Sequence, residues 1–275
     1  MNRCIVCGAA CLTGVVEIHD APVHCNVQWA TREEALEAPR GVIDLVFCRQ
    51  CGHIFNAAFD AHLIAYSQRY ENSLHFSPRF NEYAKRLAQR LVERYGLTDK
   101  DVVEIGCGKG EFLAMLCHAG MNRGLGFDRS FEVNRLDPAE SRTIRVVADD
   151  YGEWHSHEPV DLIVCRHVLE HVPDPVGFLA SIRRTVEARK RCPMYLEVPN
   201  ALYTLRDLGI WDLIYEHCSY FTAQSLRRAL GAGGFGVEVI RSEFGDQFLG
   251  AEAVASGAQA ATDVAEEGLA RLRGW

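Results

Sequence analysis

The chain has 275 residues, 48% of them hydrophobic and 24% charged, with a formal net charge of −8. That length suits one large α/β domain plus a smaller module, and the acidic balance argues against a nucleic-acid backbone as the main partner. No apolar run approaches the ~18 residues that a membrane span needs, and Met1-Asn2-Arg3-Cys4 opens no signal-peptide core, so a cytoplasmic protein is expected.

The eleven cysteines are an odd count scattered along the chain, which speaks against a secreted disulfide framework. Cys107, Cys117, Cys165, Cys192 and Cys218 stand singly and are expected to be small buried hydrophobes. Cys4-Ile-Val-Cys7-Gly8 and Cys48-Arg-Gln-Cys51-Gly52 differ, being two copies of Cys-x-x-Cys-Gly. A two-residue gap turns both thiolates toward one ion, and two such knuckles make a closed four-cysteine zinc site. Cys4, Cys7, Cys48 and Cys51 are therefore the expected ligands, and a closed site gives zinc a structural role. Strands are expected at 15–18 and 42–47. Residues 1–60 hold four arginines against seven acids, unlike a nucleic-acid-gripping finger.

Ser77-Pro78 starts a helix, with Ser77 as N-cap, Pro78 at the first helical position and Gly96 as the stop. Phe80, Tyr83, Leu87, Leu91 and Tyr95 share one face. The segment Tyr70 to Ser77 before it is polar and aromatic without periodicity, and reads either as a loop over a bound cofactor or as a plain linker.

Val102-Val-Glu-Ile-Gly106-Cys-Gly108-Lys-Gly110 is an apolar strand running through alternate glycines into the helical pattern Glu111, Phe112, Leu113, Met115, Leu116. Such a turn lets backbone approach a ligand closely and aims helix N–H groups at it. The Gly-x-Gly-x-Gly spacing resembles motif I of class I S-adenosylmethionine (SAM) methyltransferases. In that frame Glu104 is placed to hold the SAM amino group. Asp128, closing a second strand at 124–128, can accept both ribose hydroxyls. Asp149, after a third strand at 145–148, is the candidate for the adenine amino group.

A fourth strand at 161–165 leads into Arg166-His-Val-Leu-Glu-His171, a segment similar to the post-strand-four loop of small-molecule methyltransferases. Arg166 and His167 would line the sulfonium end, with Glu170 and His171 orienting the loop. A fifth strand at 194–200, a helix at 223–230 and a late strand at 233–240 complete a mostly parallel sheet covered on both faces. Arg183, Arg184, Arg189, Lys190 and Arg191 read as a solvated face.

Between the fifth strand and its helix lies Trp211-Asp-Leu-Ile-Tyr215-Glu216-His217-Cys-Ser-Tyr220-Phe221. A His beside a Glu can serve as a general base, and a Tyr phenol can donate to an enolate oxygen. The alternative is a packed aromatic segment with a satisfied histidine. Together with Phe244-Gly-Asp-Gln-Phe-Leu249, this arrangement resembles the zinc-containing sugar C-methyltransferase family over nearly the whole chain. The resemblance implies that a base removes the proton beside a 4-keto group and the enolate attacks the SAM methyl. His217 matches the family's histidine in its Glu216-His217 pair, and Tyr215 or Tyr220 would supply the phenol. The family's tyrosine usually stands further ahead of its histidine, and members usually carry a third, C-terminal α/β domain.

The expected fold is thus an α/β class I methyltransferase sheet with a small N-terminal β-rich zinc domain. The expected boundaries are 1–60 for the zinc domain, 61–96 for a linking segment and helix, 97–245 for the SAM domain and 246–275 for a C-terminal extension that could begin a further domain. The first functional expectation is carbon methylation of a 4-keto-deoxysugar nucleotide, a small-molecule acceptor. O- or N-methylation of another metabolite, a zinc-finger rRNA methyltransferase and a non-catalytic SAM-binding scaffold are the alternatives.

Overall fold

A computed structural model describes residues 2–25, 27–64, 73–131, 142–187 and 191–256. In chain order the N-terminal part carries β1 (Leu12–Pro22), α1 (Arg32–Leu36), β2 (Arg40–Cys48) and β3 (Ile54–Asn56). Then come α2 (Pro78–Tyr95), β4 (Asp101–Ile105), α3 (Glu111–Gly120), β5 (Arg123–Phe127), β6 (Ile144–Val147), β7 (Leu162–Arg166), α4 (Pro175–Thr185) and β8 (Arg191–Pro199). The remainder is α5 (Ala201–Leu205), β9 (Ser219–Tyr220), α6 (Ala223–Ala232), β10 (Phe235–Glu243) and β11 (Phe248–Ser256).

The larger sheet has seven strands in the order β10-β11-β8-β7-β4-β5-β6. The β8-β7-β4-β5-β6 ladders are parallel, and β11 runs antiparallel to both its neighbours. Order reverses at β4 and β7, so the carboxyl ends of these two strands flank the crevice where ligands bind in open α/β sheets. β11 overturns the boundary expected at 245, because it lies inside the sheet and not in an extension. Its run Phe248-Leu-Gly-Ala-Glu-Ala-Val-Ala is weak strand material by propensity, yet it is paired on both edges, and the pairing decides. Residues 257–275, the rest of that expected extension, lie outside the described ones.

Ser77 caps α2 by accepting from the Phe80 N–H, and Gly96 ends it in the left-handed region at φ 61°. Phe80, Tyr83, Ala84, Leu87, Ala88 and Leu91 are buried on one face. They share a core with Val102, Leu113, Leu116, Leu162, Tyr195 and Phe248. Burying a large apolar side chain contributes about 1.5–3 kcal/mol, so this face ties α2 to the sheet as one of its layers. α2 is the helix expected within 61–96, and it packs on the sheet.

The smaller sheet has the order β1-β2-β3-β9. Its last strand comes from the segment between β8 and α6, and pairs Ile54 with Tyr220 and Phe55 with Ser219. The N-terminal unit is therefore completed by the segment expected to carry the chemistry. No helix among the described residues is long and apolar enough to cross a membrane.

Candidate active site and cysteine tetrad

The loop after β4 turns through three left-handed glycines, Gly106 (φ 69°), Gly108 (φ 54°) and Gly110 (φ 82°). At Gly106 a Cβ would meet the Val168 side chain at 2.2 Å, so only glycine fits there. Asp128, just past β5, braces the loop by accepting from the Gly108 N–H at 2.8 Å. Its other oxygen takes the Ser130 N–H and hydroxyl at 2.8 and 2.6 Å. Asp149 follows β6 as expected; it is exposed and accepts from the Asp150 N–H.

Glu104 sits at the foot of this loop, 3% exposed, and its Oε2 has no hydrogen-bond partner among the described residues. Burial pushes its pKa up to about 8. An orphaned buried carboxylate beside a glycine loop suits an incoming ammonium, as the SAM amino group would provide. Of the segment before α2, residues 73–76 lie against the loop: Ser73 donates to Glu111 at 2.9 Å, and the Lys109 ammonium stands 5.5 Å from the Phe76 ring centroid. Tyr70 to Asn72 are outside the described residues.

At the end of β7, Arg166 is buried over the Phe112 ring at 4.1 Å and donates twice to Glu197 Oε1, at 3.0 and 2.8 Å. Glu197, fully buried on β8, also accepts from the Tyr83 and Tyr195 hydroxyls. Its burial would raise its pKa, but Arg166 and His167 hold it well below the usual carboxylate range. His167 adopts φ +55°, a conformation costing about 1–3 kcal/mol for a non-glycine residue. There its Nε2 comes 3.0 Å from Glu197 Oε1, outside hydrogen-bond alignment, and its Nδ1 3.7 Å from Glu170 Oε1. Burial opposes its charge, yet the two carboxylates raise its pKa to about 9.

Sequence reasoning left Glu197 and Asp212 out of the site. A lone acid within the buried run Met194-Tyr-Leu-Glu-Val was the available signal, since a carboxylate there needs charged partners.

Beyond Arg166 and His167, donor atoms of Glu170, His171 and His217 lie within 4.8 Å of one another, and Asp212 adjoins them through its backbone oxygen. His217 is 8% exposed and bonds through Nδ1 to the Asp212 backbone oxygen at 2.8 Å. A carbonyl can only accept, so Nδ1 carries the hydrogen and Nε2 holds the lone pair. Burial, then His171, push the His217 pKa down to about 3, which keeps the ring neutral. Burial lifts Asp212 to about 6, and Asp212 Oδ2 has no hydrogen-bond partner among the described residues.

The other residues expected to act with His217 turn elsewhere. The Tyr215 hydroxyl takes the Asp60 N–H at 2.9 Å and its ring stacks on Phe59, so Tyr215 is packing for the N-terminal sheet. Glu216 accepts from the Cys25 N–H at 3.1 Å and so anchors the β1–α1 connection. Tyr220 donates to the Ile214 oxygen at 3.3 Å, with its ring 6.3 Å from that of His217. Two residues of spacing put Tyr215 and His217 on the same side of an extended backbone only if it stays regular. A turn here, with His217 N donating to Ile214 O, breaks that rule.

Cys4, Cys7, Cys48 and Cys51 form a tetrad whose sulfurs all lie within 4.8 Å of one another. Cys4–Cys51 and Cys7–Cys48 are each 3.6 Å apart. Four thiolates at about 2.3 Å from one tetrahedral ion stand about 3.8 Å apart, so the tetrad fits such an ion. Gly8 and Gly52 both take φ 74°, and their N–H groups close matching turns onto the Cys4 and Cys48 oxygens.

A family model described as a methyltransferase domain matches residues 80–239, more than half the chain. The chain is 30% identical over 118 residues to a ubiquinone biosynthesis O-methyltransferase of Aliivibrio fischeri, covering 41% of this chain and 50% of that protein. It is 31% identical over 110 residues to the protein of the same name from Saccharophagus degradans, covering 36% and 44%. It thus spans about half the length of these curated relatives. A solved structure of a Burkholderia thailandensis 1,6-didemethyltoxoflavin-N1-methyltransferase aligns at 20% identity and TM-score 0.49, covering 65% of this chain and 80% of that one. With its glycine loop, its seven-stranded sheet and the family match over β4 to β10, the chain belongs to the class I SAM-dependent methyltransferases.

Proposed function

We propose that this methyltransferase acts on a small acceptor at the cluster of Arg166, His167, Glu170, His171, Asp212 and His217. The acceptor is a 4-keto-deoxysugar nucleotide methylated at carbon. The observation that carries the reading is the bond from His217 Nδ1 to the Asp212 oxygen, which leaves a neutral imidazole with its Nε2 lone pair for a substrate proton. SAM, when bound, supplies an electrophilic methyl group. Glu104, the Gly106–Gly110 loop and Asp128 would hold it, with Asp149 as the candidate acceptor for its adenine amino group. His217 Nε2 would take the proton from the carbon beside the keto group, leaving that carbon nucleophilic toward the methyl group that SAM would supply. Burial works against the Glu170 charge, but His167 lowers its pKa, so Glu170 stabilises the imidazolium that forms.

Cys4, Cys7, Cys48 and Cys51 bind structural zinc in this reading, with all four coordination positions filled by sulfur. O-methylation of a metabolite hydroxyl is the second reading, favoured by the identity to the ubiquinone O-methyltransferases. It uses the same base on an O–H proton.

The test is incubation with a 4-keto-deoxysugar nucleotide in deuterated water, with and without SAM, followed by mass spectrometry. Deuterium uptake without SAM and a methyl shift with it are expected. Neither signal from an intact, SAM-binding protein would overturn carbon methylation of this class, and a methyl shift on a phenol or catechol instead would establish the second reading.

A further inference from the structure

We infer that Glu170, His171 and His217 form a binding site for one divalent transition-metal ion of the zinc and cobalt class, and that this ion inhibits methyl transfer. One donor atom from each of the three lies within 4.8 Å of the others. Two histidines and a carboxylate are the donor set such ions prefer over magnesium or calcium.

Both rings are held as metal-bound histidines usually are. His217 Nδ1 donates to the Asp212 oxygen at 2.8 Å and His171 Nδ1 to the Glu216 oxygen at 3.0 Å. Each bond fixes the tautomer with the lone pair on Nε2. The rings stand edge to face with centroids 4.8 Å apart. Glu170 is 1% exposed; Oε1 faces His167, and Oε2 has no hydrogen-bond partner among the described residues. Donors about 2.1 Å from a tetrahedral ion sit about 3.4 Å apart, so donors spaced up to 4.8 Å must draw in by at most about 1.4 Å on binding. The His167 cation opposes a second positive charge here, and the Glu170 and Asp212 carboxylates offset it.

Binding does not depend on the proposed chemistry. Inhibition does, because it rests on His217 as the base: an ion on Nε2 removes the lone pair that would accept the substrate proton. The cysteine tetrad is a separate, all-sulfur centre.

The experiment titrates Co2+ into full-length protein whose tetrad zinc has been verified by elemental analysis. One further equivalent is expected, with ligand-field absorption and no thiolate charge-transfer band. Glu170→Gln and His171→Asn should each weaken it at least about tenfold, with tetrad zinc and melting temperature retained as the check on folding. No cobalt beyond the tetrad, a thiolate band, or equal binding in both folded variants would overturn the site. If cobalt binds as expected while methyl transfer continues at saturation, the inhibitory role falls and the site stands. A protein with no turnover on any acceptor still reports binding, which separates this test from that of the proposed function.

Discussion

The Thr222 hydroxyl donates to the Gly52 backbone oxygen at 3.4 Å, joining the N-cap of α6 to the second cysteine knuckle. Beside it, His53 is fully buried with its ring 4.9 Å from that of Phe221, and the Asn56 N–H donates to the Cys218 oxygen at 3.0 Å. The knuckle of Cys48 and Cys51 thus clamps the stretch that begins one residue after His217.

Removal of the zinc proposed for the tetrad is therefore expected to act at a distance. A strong chelator should unfold the β1–β2–β3 sheet and release β9, since metal binding free energy in such sites is folding free energy. Hydrogen exchange should rise both in residues 40–56 and in 218–222. Exchange that rises in the N-terminal strands alone would show that the clamp is not what holds the 218–222 segment.

Replacing Asp128 by Ala should weaken SAM binding by roughly 1.5–3 kcal/mol, the range for losing a charge-assisted hydrogen bond. Part of that loss belongs to the loop, because the same carboxylate holds the Gly108 N–H. Calorimetry checks it, and unchanged affinity would remove Asp128 from the cofactor site.

Glu104 makes both stability and cofactor affinity depend on pH. Its pKa is raised from 4.5 to about 8, so the folded SAM-free protein keeps a proton that the unfolded chain releases. Stability is then full below about pH 4.5 and falls as pH rises toward 8, by about 1.4 kcal/mol per pH unit from this group alone. Binding an ammonium needs the ionised form, so SAM affinity should climb from pH 6 to about 8. It should fall beyond that as the SAM amino group itself deprotonates, at about 7.7–8.0. Glu104→Gln should abolish the climb and raise the melting temperature at pH 8. A pH-independent affinity in the wild type would contradict this assignment.

Much of this was legible in the residues and some was not. Ser77, Pro78 and Gly96 bound α2 because caps are local chemistry, and the glycine loop could be read because three left-handed positions demand three glycines. β11 could not be read that way, since alanines at 251, 253 and 255 become a strand only through partners on both edges. The same holds for Tyr215 and Glu216. Which side of the chain each faces depends on the turn at Ile214 and on Asp60 and Cys25, residues far away in sequence.

Glu197 is where a change should cost most stability. It balances Arg166 and His167 and accepts from Tyr83 and Tyr195, all inside the core. Glu197→Gln removes the charge and leaves Arg166 buried beside a neutral amide, which for a broken buried pair costs about 3–5 kcal/mol. Urea unfolding should show that loss at pH 7. Because partners depress the Glu197 pKa in the fold, its contribution is present at neutral pH and fades as pH drops below the usual carboxylate range. A loss under about 1 kcal/mol would mean that water reaches Arg166 and that the network is not sealed.

His217→Asn separates chemistry from binding. The asparagine side chain can keep a donor toward the Asp212 oxygen but has no basic nitrogen in place of Nε2. SAM affinity should stay within about threefold of wild type, as expected for a residue that does not touch the cofactor, while methyl transfer falls by about 10²–10⁴, the usual worth of a positioned base. The deuterium uptake that precedes transfer should vanish with it. Wild-type turnover in a folded His217→Asn protein would assign the histidine to packing and move the search for a base to Asp212. That residue's carboxylate, lifted to about 6 by burial, is a further proton acceptor beside the cluster.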